Sequence, residues 1–417
     1  MNEYDSHLVE SLLISTGYEK TDNEKIADLV VLNTCSVRQK AEERALGRIR
    51  SVSSGNSQQE IAVIGCMAQR MGAELFKVNR NVKYVLGTGS FYRLNELVSK
   101  GNGTPVIDIL GRDEPLDIAP EPMERKISSY VTIMRGCNNF CSYCIVPYVR
   151  GIERYRPPHR IMAEIEKLEG SDCREIWLLG QNVNSYRHGS MDFPLLLAHV
   201  TEHTSIPRIR FLTSHPKDFS IRLIDVMALE EKICKGIHLP LQSGSDRVLE
   251  RMNRKYTSGQ YLEWIQRLRE RIPEVVISTD IIVGFPGESE RDYLNTKDLM
   301  QKIGYHSAFM FRYSIREGTR AAEFEDDIPE KEKLRRLDDL IKFQKQISEK
   351  KMAALKGTKQ HVLLEKVARH NSSDALGKSD GGLNVVVRNA SSRLGELVRA
   401  KIVSSSYTTL TGELILE

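Results

Sequence analysis

Residues Tyr130 to Cys144 read YVTIMRGCNNFCSYC. The first half is rich in β-branched and aromatic residues, as a strand is, and the second half places Cys137, Cys141 and Cys144 at C-x3-C-x2-C spacing on one tight loop. Three thiolates so close together suit a four-iron, four-sulfur cluster. Such a cube normally takes four ligands, so three leave one iron open to an exchangeable molecule. Zinc also favours thiolates, but a structural zinc site wants a fourth ligand nearby. The nearest other cysteine, Cys173, sits in a polar stretch (SDCRE) ahead of a strand, the wrong end for a site at strand C-termini.

Outward from this stretch, strand-like and helix-like segments alternate. Strands are expected near Tyr130–Arg135, Glu175–Leu179, Arg208–Thr213, Gly236–Leu241, Val275–Val283 and Ala308–Tyr313. That order predicts an α/β domain with a parallel barrel, complete or partial, whose chemistry lies at the strands' C-terminal ends. Gln181, Asn182, Ser214, His215, Gln242 and Ser243 all follow expected strands and would meet at that mouth, although each could instead cap a helix or tie a loop. Gly284 and Gly287 either admit a ligand close to the backbone or only make the turn. His215 and His238 could serve as general acids, but histidines at strand ends are more often hydrogen-bonded structural groups, and that is the expectation here. Arg247, Arg251, Arg254 and Lys255 could contact phosphate or form a solvated surface.

With 417 residues, the chain exceeds what one hydrophobic core usually serves. Upstream, Ala27–Thr34, Glu60–Gly65 and Val82–Leu86 read as buried parallel strands between helical patterns, and Cys35 and Cys66 each follow one directly. Gly111 to Lys126 carries three prolines and several acids and reads as a linker. Pro329 is expected in the first turn of an amphipathic helix reaching about Met352. Beyond it, His361–Val367, Leu383–Val387, Glu396–Val403 and Glu413–Leu416 read as strands of a small all-β barrel. The domains are expected at 1–112, 127–353 and 356–417.

A formal charge of +4, from 60 Lys+Arg against 56 Asp+Glu, leaves nucleic-acid binding to local patches. One such patch is the last domain, with nine Lys/Arg against six Asp/Glu from Lys356 on. No apolar run approaches a membrane span and the N-terminus is acidic, so a cytoplasmic protein is expected. Seven cysteines, an odd number, argue for metal-binding thiolates over a disulfide framework.

The cysteine loop, with Tyr143 before its last cysteine, resembles the radical S-adenosylmethionine superfamily, and the whole chain resembles its methylthiotransferase family. The matching segments are MNEYDS (1–6), LNTCSVRQKAE (32–42), IGCMAQR (64–70), GCNNFCSYCIVPYVRG (136–151), LLGQNVNSY (178–186), TSHP (213–216), HLPLQSGSDRVLERMNRKYT (238–257), TDIIVGFPGE (279–288) and YSIREGT (313–319). The resemblance implies a partial (β/α)6 barrel, a C-terminal TRAM-like domain that binds the tRNA anticodon stem-loop, and two 4Fe-4S clusters. Cys137, Cys141 and Cys144 would hold one cluster, with Tyr143, Gln181, Gln242 and Ser243 around the S-adenosylmethionine. Cys35 and Cys66 would hold the auxiliary one; the family's third N-terminal cysteine has no counterpart here, so that cluster and sulfur insertion are expected to be incomplete in this form of the chain. Cys173 and Cys234 match no ligand position.

The family's reaction implies two molecules of S-adenosylmethionine, one donating a methyl group and one a radical that takes hydrogen from carbon 2 of an adenosine at position 37, flipped out of its stack. LLGQNVNSY and HLPLQSGS favour isopentenyladenosine as substrate over threonylcarbamoyladenosine in tRNA or an aspartate of a ribosomal protein. A flavodoxin-like or ferredoxin-like electron donor, a sulfur source and a monomeric state complete the expectation. The competing expectation from another class is a non-catalytic RNA-binding protein with a structural metal.

Overall fold

The computed structural model describes residues 1–36, 39–52, 59–100, 104–109, 118–120 and 126–415. The expected linker at 111–126 lies almost wholly outside them, apart from 118–120 and 126. Contacts divide the chain into two compact units, one of residues 1–124, 132–140 and 144–164, the other of 125–131, 141–143 and 165–417. No helix among the described residues is long and apolar enough to cross a membrane.

The first unit is built on four parallel strands in the order β1 (Leu29–Thr34), β2 (Glu60–Gly65), β3 (Val82–Leu86) and β4 (Val106–Asp108). Its helices are α1 (Asn2–Ser15), α2 (Gln39–Ser51), α3 (Cys66–Met71), α4 (Glu74–Val78) and α5 (Leu94–Ser99). Alternation along β2 sends Ala62 and Ile64 into one core with Leu8 and Leu94, and Ile61 and Val63 into another with Ile49, Met67 and Leu75. Both faces are thus covered, which is why the strand reads as an unbroken apolar run.

The second unit contains six parallel strands in two sets of three. The one strand expected at Tyr130–Arg135 is divided into β5 (Ser128–Thr132) and β6 (Met134–Arg135), and β6 pairs antiparallel with β7 (Arg154–Tyr155) within the first unit. After α6 (Val146–Arg150) of the first unit and α7 (Pro158–Glu169), which runs from the first unit into the second, comes β8 (Glu175–Leu179), then the small pair β9 (Arg187–His188) and β10 (Met191–Asp192), α8 (Phe193–His203), β11 (Arg208–Leu212) and α9 (Ile221–Leu229). The other set follows: β12 (Gly236–His238), α10 (Asp246–Arg251), α11 (Ser258–Arg271), β13 (Val276–Val283), α12 (Glu290–Ile303), β14 (Ser307–Arg312) and α13 (Glu330–Ala353), which Pro329 caps from outside. The sheets are ordered β11-β8-β5 and β12-β13-β14, and a parallel bridge from Ile209 to Ile233 joins them into a six-stranded half-barrel.

The C-terminal domain is a closed barrel, β15 (Lys359–Val367), β16 (Ala375–Ser379), β17 (Asn384–Val387), β18 (Leu397–Ser405) and β19 (Thr409–Leu414), ordered β15-β16-β17-β19-β18. Val362, Leu364, Val385, Val387, Ile402 and Leu410 fill it, together with Met352 from α13. β16 (ALGKS) was not expected: two small residues and a lysine hide its period. The turn after β16 meets the N-terminal ends of the half-barrel strands. Fully buried Glu175 lies 3.0 Å from Arg208 Nε and 2.7 Å from Arg210 Nε. Both arginines also donate to the Ser379 carbonyl, at 2.8 and 2.6 Å, so the carboxylate and the carbonyl are shared by two buried cations.

Candidate active site

β6 is followed by Gly136, whose φ of +78° and close approach to Ile152 O, only 2.0 Å from where a Cβ would stand, exclude other residues. The loop then turns, with Cys137 N–H donating to Gly151 O at 3.1 Å and Asn139 Nδ2 donating to Cys137 Sγ at 3.4 Å. Cys144 closes the loop just before α6.

Cys141 belongs to the second unit and faces two basic side chains. Arg254 Nη1 lies 3.3 Å from its sulfur, and His215 Nε2 lies 3.9 Å away. Burial, together with the charges of Arg254 and Lys217, pushes His215 far below the usual imidazole range, so its ring is neutral; Nδ1 accepts from Lys217 N–H at 3.1 Å. Arg254 also donates to Tyr256 Oη and to Pro240 O, and lies 3.5 Å from Tyr143 Oη. In the sequence Arg254 belongs to a basic run suited either to phosphate contact or to solvation. Only 3% of it is exposed. Its neighbours are also engaged: Arg247 pairs with Asp292, and Arg251 donates to Pro286 O while covering the Phe324 ring.

The polar residues after the strands divide into two kinds. Ser243 is fully buried and accepts from Ser245 N–H at 3.2 Å, which commits it to shaping its own turn. Gln242, at φ +71°, continues the strand through its backbone, donating to Asp280 O and accepting from Ile282 N–H. By contrast, Gln181 Oε1, Asn182 Oδ1, Ser214 Oγ and Gln242 Oε1 are buried with no hydrogen-bond partner among the described residues. Leaving a polar atom buried and unsatisfied costs about 1–3 kcal/mol. Four such atoms behind three strands of one half-barrel fit a site shaped for a polar ligand such as S-adenosylmethionine, just as the three-cysteine loop fits a cluster. Thr213, held at φ +72° despite its branched side chain, adds local strain beside Ser214.

In the first unit the register Thr34↔Gly65 sets Cys35 and Cys66 side by side at the C-terminal edge of the sheet, although 30 residues separate them in sequence. Cys66 is buried with Ile145 and Val149, and Arg150 Nε donates to its sulfur at 3.3 Å. Burial alone would raise the Asp5 carboxyl. The guanidiniums of Arg135 and Arg150, at 2.7 and 3.1 Å, outweigh it and hold Asp5 below the usual carboxylate range. Neither Arg150 nor Arg135 stood out in the sequence. Cys173 and Cys234 are buried, and burial pushes both thiols up, away from ligand chemistry.

A cysteine loop leading into a parallel half-barrel, with a small β-barrel behind it, defines a radical S-adenosylmethionine enzyme carrying a TRAM domain. Residues 131–300 match the family described as Radical SAM superfamily, residues 353–415 the TRAM domain, and residues 1–87 the Uncharacterized protein family UPF0004. The chain is 42% identical to the tRNA-2-methylthio-N(6)-dimethylallyladenosine synthase of Clostridium botulinum (strain Hall), over 99% of this chain and 94% of that relative. Against the synthase of the same name from Syntrophus aciditrophicus it is 40% identical, over 100% and 93%. It belongs to the tRNA-2-methylthio-N(6)-dimethylallyladenosine synthase family. Among solved structures, the radical S-adenosylmethionine methyltransferase TsrM from Kitasatospora setae shares the fold, with TM-score 0.55 at 13% identity, over 76% of this chain and 74% of that one.

Proposed function

We propose that this chain converts N6-isopentenyladenosine beside the tRNA anticodon to its 2-methylthio derivative. Near-full-length kinship to synthases of that name carries the reading, and the cysteine loop with its orphaned polar groups supports it. When bound, a cluster held by Cys137, Cys141 and Cys144 would supply one-electron cleavage of S-adenosylmethionine. Gln181 and Gln242 would offer buried carbonyl oxygens to that cofactor's polar groups, and Tyr143 would border it. Ser243 holds the turn that carries Gln242. Arg254 keeps a positive charge against Cys141, where buried surroundings strengthen its field. Cys35 and Cys66, the latter with Arg150 against its sulfur, are the ligands assigned to the auxiliary cluster. The division at 1–112, 127–353 and 356–417 gives each task its own part: sulfur chemistry, radical generation and grip on the anticodon stem-loop.

The electron donor in this reading is a flavodoxin-like or ferredoxin-like protein. A separate sulfur source supplies the inserted atom, and the chain works as a cytoplasmic monomer. Nucleoside analysis of tRNA from a deletion strain, with and without the restored gene, tests the substrate. The methylthio form of isopentenyladenosine is expected to vanish and return. Its persistence in the deletion strain would overturn the assignment, and loss of methylthio-threonylcarbamoyladenosine instead would replace it.

A further inference from the structure

Phe309 on β14 is 52% exposed, although barrel interiors are normally filled by side chains. Register identifies the face it occupies. Phe309 pairs with Asp280, and Ser307 pairs with Ser278, which pairs in turn with His238. Residues paired across parallel strands point to the same side. The opposite side carries buried Ile277, Thr279, Ile281 and Val283, and Arg312, which pairs with Val283, reaches Glu330 of α13 at 2.8 Å. Helices cover that side, so His238, Asp280 and Phe309 face the interior of the half-barrel.

This inner face has a floor. Gly236 and Val276 share its parity with His238 and Asp280, and both abut Gly381: a Cβ on Gly236 would stand 2.4 Å from Gly381 O, and one on Gly381 would stand 2.1 Å from the Val276 side chain. The turn of the C-terminal barrel therefore closes the lower end, while the wall above it is open. On that wall His238 is pinned, with Nδ1 3.0 Å from Ser278 Oγ and Nε2 3.2 Å from Asp280 Oδ2. The imidazole edge also meets the Phe309 ring, with centroids 5.9 Å apart. The result is an oriented carboxylate beside a half-exposed aromatic ring.

We propose that this face binds the N6-substituted adenine of the substrate, an inference that rests on the isopentenyladenosine reading above. The Phe309 ring stacks on the flipped base, and the lone pairs Asp280 retains accept the single N6–H of an alkylated adenosine. The same negative charge repels an N6 substituent that carries its own carboxylate, as threonylcarbamoyladenosine does, so Asp280 is a specificity-determining residue.

Binding separates this proposal from the catalytic one. Three synthetic anticodon stem-loops, carrying isopentenyladenosine, unmodified adenosine or threonylcarbamoyladenosine, are titrated into the full chain by fluorescence anisotropy. The wild-type protein is expected to bind the isopentenylated RNA tightest. Phe309→Ala should weaken that complex by roughly tenfold while the unmodified RNA changes far less. Phe309→Leu, which keeps apolar bulk but loses the ring face, should give the same direction. Asp280→Asn should improve threonylcarbamoyl RNA relative to isopentenyl RNA by roughly tenfold. Both side chains are partly exposed, so their replacement opens no core cavity. Affinity ratios within twofold of wild type in all three variants would overturn the proposal, as would a wild-type preference for the threonylcarbamoyl RNA. Failure of the wild-type protein to form methylthio product from RNA it binds with the expected preference would strike the proposed reaction and leave this binding face standing.

Discussion

Arg254 Nη1 lies 3.3 Å from Cys141 Sγ, and its other nitrogens are spent on Tyr256 and the Pro240 carbonyl. Tyr256, whose hydroxyl burial pushes up to about 12, remains a neutral partner. A fixed, buried cation is thus set against the sulfur proposed as one ligand of the cluster.

Replacing Arg254 with Met is expected to leave iron content near wild type but shift the cluster's midpoint potential to more negative values, since net charge and hydrogen bonds to sulfur set that potential. Reductive cleavage of S-adenosylmethionine should slow by roughly tenfold or more. Potentiometric titration followed by electron paramagnetic resonance measures the shift. An unchanged midpoint would show the guanidinium to be only a structural tie.

The seven cysteines should separate by function. Cys141→Ala is expected to abolish 5′-deoxyadenosine formation, whereas Cys173→Ala and Cys234→Ala retain it, because burial keeps those two thiols protonated. Chromatographic assay of 5′-deoxyadenosine under dithionite reads the difference. Equal loss from Cys141→Ala and Cys173→Ala counts against the division.

Glu175→Gln removes the carboxylate that Arg208 and Arg210 share, leaving Arg208 only the half-exposed Asp380, and should destabilise the second unit by about 3 kcal/mol, the usual cost of breaking a buried pair. Burial would raise the Glu175 carboxyl, but Arg210 and Arg208 hold it below 4.5. Its folded pKa is depressed, so its contribution is complete above the unfolded value near 4.5 and is lost as pH falls through the folded one. Urea unfolding from pH 7 down to 3 should therefore show the gap between wild type and variant closing only on the acid side. A gap independent of pH would mean that the charge is not what stabilises the contact.

Gly65→Ala tests the auxiliary site through its backbone. Gly65 has φ +92°, and a Cβ there would stand 2.7 Å from Thr34 O, so the substitution should cost about 2 kcal/mol and push Cys66 away from Cys35. Iron per chain after anaerobic reconstitution is expected to fall while the cluster on Cys137, Cys141 and Cys144 persists. Undiminished iron would indicate that the Cys35–Cys66 edge is not a ligand site.

Sequence alone determined the layers and the chemistry-bearing loop. Parallel strands buried on both faces read as apolar runs such as EIAVIG, and a C-x3-C-x2-C loop needs no distant partner to be recognised. Such signals are local. β4 (VID) and β16 (ALGKS) escaped because a strand with few residues or small side chains has little period to read. Tertiary structure decided which charges serve the site. Arg254 and Arg150 look like any solvated arginine in sequence, and only folding places one on Cys141 and the other on Cys66, across 113 and 84 residues. The same holds for Asp280, Phe309 and the Gly381 turn, which strand register alone brings to one face. A guanidinium's role depends on the dielectric around it and the anion within a few ångströms, and neither quantity is written in the residues beside it along the chain.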